Sequence, residues 1–202
     1  MLEVFGRDNS VNVQKVLWAC EELGVEYDRR DAGLSHGFPE GYEKLNPNML
    51  VPTVRDGDFV LWESHAIVRY LASREGRLIP EDLRGRADCE RWMDWQQTVL
   101  WEGLRPIFFA LVRKRPEFSD PQQIESNRLK LASSLAVLDE HLRDRKYVLG
   151  EEFSVADIPL GVSAYRWFEM DLERPEMPDL RAYYERLRSR EAFIRVCALP
   201  LT

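Results

Sequence analysis

The sequence changes character near residue 80, and that change restricts the architecture more than any other feature. Up to that point, short β-prone runs alternate with helical stretches. Leu2–Phe5 reads as a strand, and Val13–Leu23 as an amphipathic helix closed by Gly24. Tyr27–Asp31 reads as a second strand and Tyr42–Leu45 as a short helix. Thr53–Arg55 and Phe59–Leu61 flank the turn signal Asp56-Gly57-Asp58, and Ser64–Arg74 is helical. The order β-α-β-α-β-β-α implies a small α/β layered domain over about residues 1–75. Beyond Arg84 no strand pattern remains. Long helical periods cover Ala87–Arg113, where Pro106 is expected to introduce a kink, and Ile124–Leu142. Ser154-Val155-Ala156-Asp157 has the form of a capping box opening a helix to about Phe168, and another helix spans Asp179–Arg188. An all-helical domain over residues 84–202 is therefore expected.

Composition removes several function classes. The chain has 202 residues, 45% of them hydrophobic and 31% charged, which is enough apolar surface for a sizeable core. Its net charge of −7 argues against nucleic acid or an anionic membrane as a partner, since both require basic surface. Met1–Asp8 lacks the basic and apolar succession of a signal peptide. No apolar run approaches the roughly 18 residues that a membrane span needs. The three cysteines, Cys20, Cys89 and Cys197, match no metal spacing and no dithiol motif, so no metal is expected. Their odd number fits a reducing, cytoplasmic location. Cys20 lies on the apolar stripe Val13, Val16, Leu17, Leu23 and reads as a buried hydrophobe.

Two motifs point to chemistry. Val51-Pro52 opens a strand, where proline's missing N–H does no harm. An X-Pro bond is also where a cis peptide is accessible, and a cis bond is expected here; it would leave the Val51 backbone free to pair with an extended peptide. Glu63-Ser64 opens a helix, where unpaired N–H groups and the helix dipole favour a carboxylate. Each alone is equally consistent with an ordinary edge strand or helix cap. Together they suggest a small, anionic, peptide-like ligand. Ser10 and Asn12, between the first strand and first helix, read either as caps of that helix or as donors to an anion.

Asn46-Pro47-Asn48, Val51-Pro52-Thr53, Asp56-Gly57-Asp58, Leu61-Trp62-Glu63-Ser64 and Ala66-Ile67-Val68-Arg69-Tyr70-Leu71 resemble the N-terminal domain of soluble glutathione transferases. Ser154-Val155-Ala156-Asp157-Ile158 resembles a motif of their helical domain. The resemblance covers nearly the whole chain in order. It implies a thioredoxin-like first domain, and an enzyme that activates the glutathione thiolate for attack on a small hydrophobic electrophile. Ser10 matches the thiolate-stabilising Ser or Thr of bacterial, theta-like and zeta-like members, and Asn12 matches an Asn used by several bacterial groups. By the same resemblance, Val51 would pair with the cysteinyl backbone, while Glu63 takes the γ-glutamyl ammonium and Ser64 its carboxylate. A homodimer is implied, with Arg69, Tyr70, Trp92 and Asp94 expected to face the partner.

The chain departs from the family pattern at two positions. Met49 stands where Gly is usual, and Leu50 where many members place a glycyl-binding Lys. His36 and Lys44 are the nearest basic replacements. Phe108, Phe109 and Arg113, on the kinked helix, are the expected lining of the hydrophobic substrate pocket, and Asp157 is expected to serve folding. A glutathione-dependent peroxidase or disulfide reductase would use the same thiolate. A non-catalytic scaffold module of the same fold is the reading from another class.

Overall fold

Four short strands build one mixed sheet in the order β2-β1-β3-β4: β1 (Leu2–Phe5), β2 (Tyr27–Arg30), β3 (Thr53–Asp56) and β4 (Phe59–Trp62). β1 runs parallel to β2 and antiparallel to β3, and β3 pairs antiparallel with β4. The β3–β4 register sets Asp56 opposite Phe59, leaving Gly57-Asp58 as a two-residue turn; Gly57 takes φ +64, which glycine adopts without steric cost. In the computed structural model, which describes residues 1–202, α1 (Val11–Leu23), α2 (Tyr42–Leu45) and α3 (Ser64–Glu75) accompany this sheet. The alternating pattern and the helical remainder expected from sequence are both present.

α1 is the central element of the first unit. Val13, Val16, Leu17, Trp18, Cys20 and Leu23 are all buried, and α3 packs along it through Ile67, Val68 and Leu71. Burial pushes the Cys20 thiol up to about 12, so it remains an inert core thiol. Lys15 is buried as well, its Nζ 3.0 Å from His65 Nε2 on α3. The first unit comprises residues 1–79 and also 192–199. Phe193 lies edge-on against Trp18, ring centroids 5.0 Å apart at 83°, a geometry that adds about 1 kcal/mol to area burial. The reading that put 84–202 together did not foresee this return. The responsible helix, α9 (Glu191–Val196), has only six residues and too little periodicity to register.

The second unit contains α4 (Leu83–Trp95), α5 (Trp101–Leu111), α6 (Pro121–Leu142), α7 (Asp157–Glu169) and α8 (Pro178–Arg188). The single helix expected over Ala87–Arg113 is two, joined by a π-helical turn at Gln96–Leu100. Such turns displace the register by one residue. Gln96 sits in this turn, fully buried, and donates to Ser163 Oγ at 3.0 Å. Pro106 lies inside α5. α6 starts at Pro121 rather than Ile124, because Asp120 caps it and Pro suits the first helical position. Trp92, expected to face a partner, is 7% exposed and packs on His141 at 4.4 Å. Tyr70 donates to Asp56 of its own chain at 2.7 Å.

Asp157 does more than cap. Its Oδ1 accepts from the Val148 N–H and the Tyr183 hydroxyl, both at 2.9 Å. Oδ2 accepts from the Ser154 N–H at 2.8 Å and the Ser154 hydroxyl at 3.1 Å. The carboxylate thus ties the loop before α7 and the body of α8 to one fully buried point. Burial raises its pKa to about 6 despite these four donors.

Candidate functional site

The turn between β1 and α1 begins at Gly6. A side chain there would place Cβ 2.3 Å from Val13 Cγ2 and 3.3 Å from Val51 Cβ, so only glycine lets the three segments meet. Ser10 follows at the N-cap of α1, with φ −81 and ψ 124, and its carbonyl accepts the Gln14 N–H at 2.9 Å. That is cap geometry, yet the Ser10 side chain makes no capping bond. The residue is 4% exposed. A hydroxyl in a cap position that does not cap retains its donor, beside the positive end of a thirteen-residue helix.

α3 brings a second helix start to the first. The Ser64 hydroxyl is 3.5 Å from Asn12 Oδ1, a long contact that joins the N-terminal turns of α1 and α3. Glu63, the N-cap of α3, holds φ +72 and ψ 112. A non-glycine residue there is strained, and such strain concentrates where a side chain or backbone must be aimed. Glu63 is exposed, whereas Ser64 is 5% exposed. The Val51–Pro52 peptide is cis, as expected. Val51 stands outside the ladder, which begins at Thr53. The preceding Leu50 carbonyl is held by the Tyr42 hydroxyl at 2.7 Å and Asn46 Nδ2 at 2.9 Å. Met49 adopts φ +51, which explains why glycine suits that position.

The structure therefore gathers Ser10, Asn12, Ser64 and Glu63 around two helix N-termini, with Val51 beside Gly6. His36 and Lys44 are both exposed. One basic residue escaped the sequence reading. A Cβ on Gly33 would lie 3.2 Å from Arg7 Nη1 and 3.5 Å from Val51 Cγ1, so Arg7 reaches the neighbourhood of Val51. Its only signal was its place directly after Gly6, at the end of the first strand. On the helical unit Phe108 is buried, while Phe109 and Arg113 are partly exposed. The Arg113 guanidinium lies 5.6 Å from the Phe108 ring. A cavity of about 500 Å³ beside α5 is lined by Trp101, Arg105, Phe118 and Asn127 among others, and not by these three residues.

Comparison with known proteins bears on this arrangement. The family model for the glutathione S-transferase N-terminal domain matches residues 9–74, and that for the C-terminal domain matches residues 101–191. Glutathione S-transferase GstB of Escherichia coli is 38% identical over the full length of both chains. The chain belongs to the glutathione S-transferase family. It is an enzyme of that family, with a thioredoxin-like first unit. A theta class glutathione S-transferase from the citrus canker pathogen Xanthomonas axonopodis pv. citri, solved with glutathione bound, superposes with a TM-score of 0.94 at 43% identity, covering 100% of this chain and 99% of that one. The apo form of the same protein gives 0.87 at 40% identity, covering 100% and 98%. Within a glutathione S-transferase, the open hydroxyl of Ser10 and the strained Glu63-Ser64 start of α3 are the features of this chain that any assignment of roles has to explain.

Proposed function

We propose that this glutathione S-transferase binds glutathione at the first unit and activates its thiol through Ser10, with Asn12 as second donor. The observation that carries the reading is the Ser10 hydroxyl, placed at a helix N-cap without capping it. A free thiol has a pKa of about 8.5 and is mostly neutral at pH 7. A hydrogen bond to the thiolate and the positive end of α1 both favour the charged form and lower that pKa. The thiol proton leaves to solvent. The thiolate then attacks an electrophilic carbon; with an aryl halide, a C–S bond forms and the carbon–halogen electron pair departs with the halide.

In this reading Val51 pairs with the ligand's peptide backbone. Ser64 and the α3 N-terminus take the γ-glutamyl carboxylate, and exposed Glu63 takes the ammonium. Arg7 joins His36 and Lys44 as a basic group for the glycyl carboxylate; its proximity to Val51 favours it over the other two. The second substrate is a small hydrophobic electrophile held by Phe108, Phe109 and Arg113. The protein works in the cytoplasm as a homodimer; exposed Phe59 and Trp62 on β4 supply apolar surface for a partner copy.

The test joins retention on immobilised glutathione to pH profiles of conjugation for wild type, Ser10→Ala and Asn12→Ala. Retention, with a pH midpoint of kcat/KM that rises in both variants, is expected. If neither substitution moves the midpoint or the rate, the thiolate is activated elsewhere. Parallel assays with an organic hydroperoxide and a mixed disulfide separate conjugation from reduction, since all three use one thiolate.

A further inference from the structure

Between Gly103 and Pro116 the chain carries Arg105, Arg113, Lys114 and Arg115 and no acid, although its net charge is −7. Three of these guanidiniums, and a fourth from α7, are arranged around two phenyl rings. Arg105 and Arg115 lie 5.3 and 4.5 Å from the Phe109 ring centroid. Arg113 and the buried Arg166 lie 5.6 and 5.5 Å from that of Phe108. Arg115 has an acidic partner, Glu117, at 3.6 Å. Arg113 makes no ion pair. It is partly buried, and the charge acting on it is that of Arg115, of the same sign. Burial first, and Arg115 second, disfavour its charged form, leaving a cation short of a counter-ion.

We propose that Arg113 determines specificity by pairing with an anionic group, a carboxylate or sulfonate, on an aromatic second substrate whose ring packs against the partly exposed Phe109. This rests on the second-substrate reading of the same residues given above. A partly buried guanidinium resting on an aromatic ring matches a planar carboxylate in geometry and charge.

The test is calorimetric binding of two unreactive probes, dinitrobenzoate and dinitrobenzene, to the full-length wild type, Arg113→Gln and Arg113→Lys. Wild type is expected to prefer dinitrobenzoate, with a preference that falls as salt rises. Arg113→Gln should weaken dinitrobenzoate binding about tenfold and dinitrobenzene binding by a clearly smaller factor, whereas Arg113→Lys should retain most of the preference. Conjugation of chlorodinitrobenzoate and chlorodinitrobenzene should show the same split in kcat/KM. Equal binding of both probes by wild type, no binding of dinitrobenzoate, or equal losses for both in Arg113→Gln overturns the proposal. Selective binding without any conjugation leaves the charge pairing standing and removes the catalytic reading. Conjugation without charge preference does the reverse.

Discussion

Two helix starts in this molecule look alike in sequence and differ in what their polar groups do. At α7, every oxygen lone pair that Asp157 offers meets a donor from the chain itself: Val148, Tyr183 and Ser154 twice. At α1, Ser10 has cap geometry and its hydroxyl makes no capping bond. The first arrangement closes a fold, and the second leaves the Ser10 hydroxyl without a capping partner, as the proposed thiolate donor requires. The two helix starts therefore differ in hydrogen-bond satisfaction rather than in residue type.

Substitution separates the two starts. Asp157→Ala strands several buried donors and should lower the unfolding free energy by about 3–4 kcal/mol in urea titrations. A loss under about 1 kcal/mol would mean that α7 is merely capped and the contrast is false. The pH dependence gives a finer view. The folded pKa of Asp157 is raised to about 6, above its ordinary carboxylate value, so the fold favours the protonated form. Its contribution is then fullest below about pH 4 and declines as pH rises through about 6. The stability advantage of wild type over Asp157→Asn should shrink across that window; an advantage that grows instead would mean the four donors outweigh burial.

Ser10→Ala should behave oppositely. It should shift the pH midpoint of kcat/KM upward by about one unit, equivalent to about 1.4 kcal/mol, and change folding stability by less than about 0.5 kcal/mol. An ordinary cap deletion costs about 1 kcal/mol, so a stability loss of that size with an unmoved pH profile would return Ser10 to the structural class. Smaller still are the effects of relieving backbone strain. Glu63→Gly and Met49→Gly both place glycine at a positive φ and should each stabilise by about 0.5–1 kcal/mol. Under the proposed function only Glu63→Gly should also raise the KM for glutathione, because it removes the carboxylate proposed to take the γ-glutamyl ammonium.

The parts of the fold legible in sequence were those with local causes. The β3–β4 hairpin followed from Gly57 between two β-prone runs, and α3 from apolar residues at helical spacing. The π-helical turn at Gln96–Leu100 was not legible, because the partner of Gln96 is Ser163, 67 positions away. Pro121 falls before the Ile124–Leu142 period, yet it is the first residue of a helix capped by Asp120, because proline serves loops and first helical positions alike. At the site, Val51-Pro52 and Glu63-Ser64 were legible as motifs and Arg7 was not, since its relation to Val51 passes through Gly33, 26 residues on. The packing of Trp92 on His141 was not legible either, because a large aromatic on a helix reads the same whether it meets its own chain or a second subunit.

The return of residues 192–199 to the first unit has a consequence for biosynthesis. Trp18 is completely buried, with Phe193 against its ring and Arg195 Nε 3.2 Å from Glu21 Oε2 on the same helix. During translation the first unit therefore lacks the ring that packs on Trp18 and the guanidinium that meets Glu21 until residues 192–199 have been made. A fragment ending at residue 79 would resemble such an intermediate, lacking the segment that packs on α1.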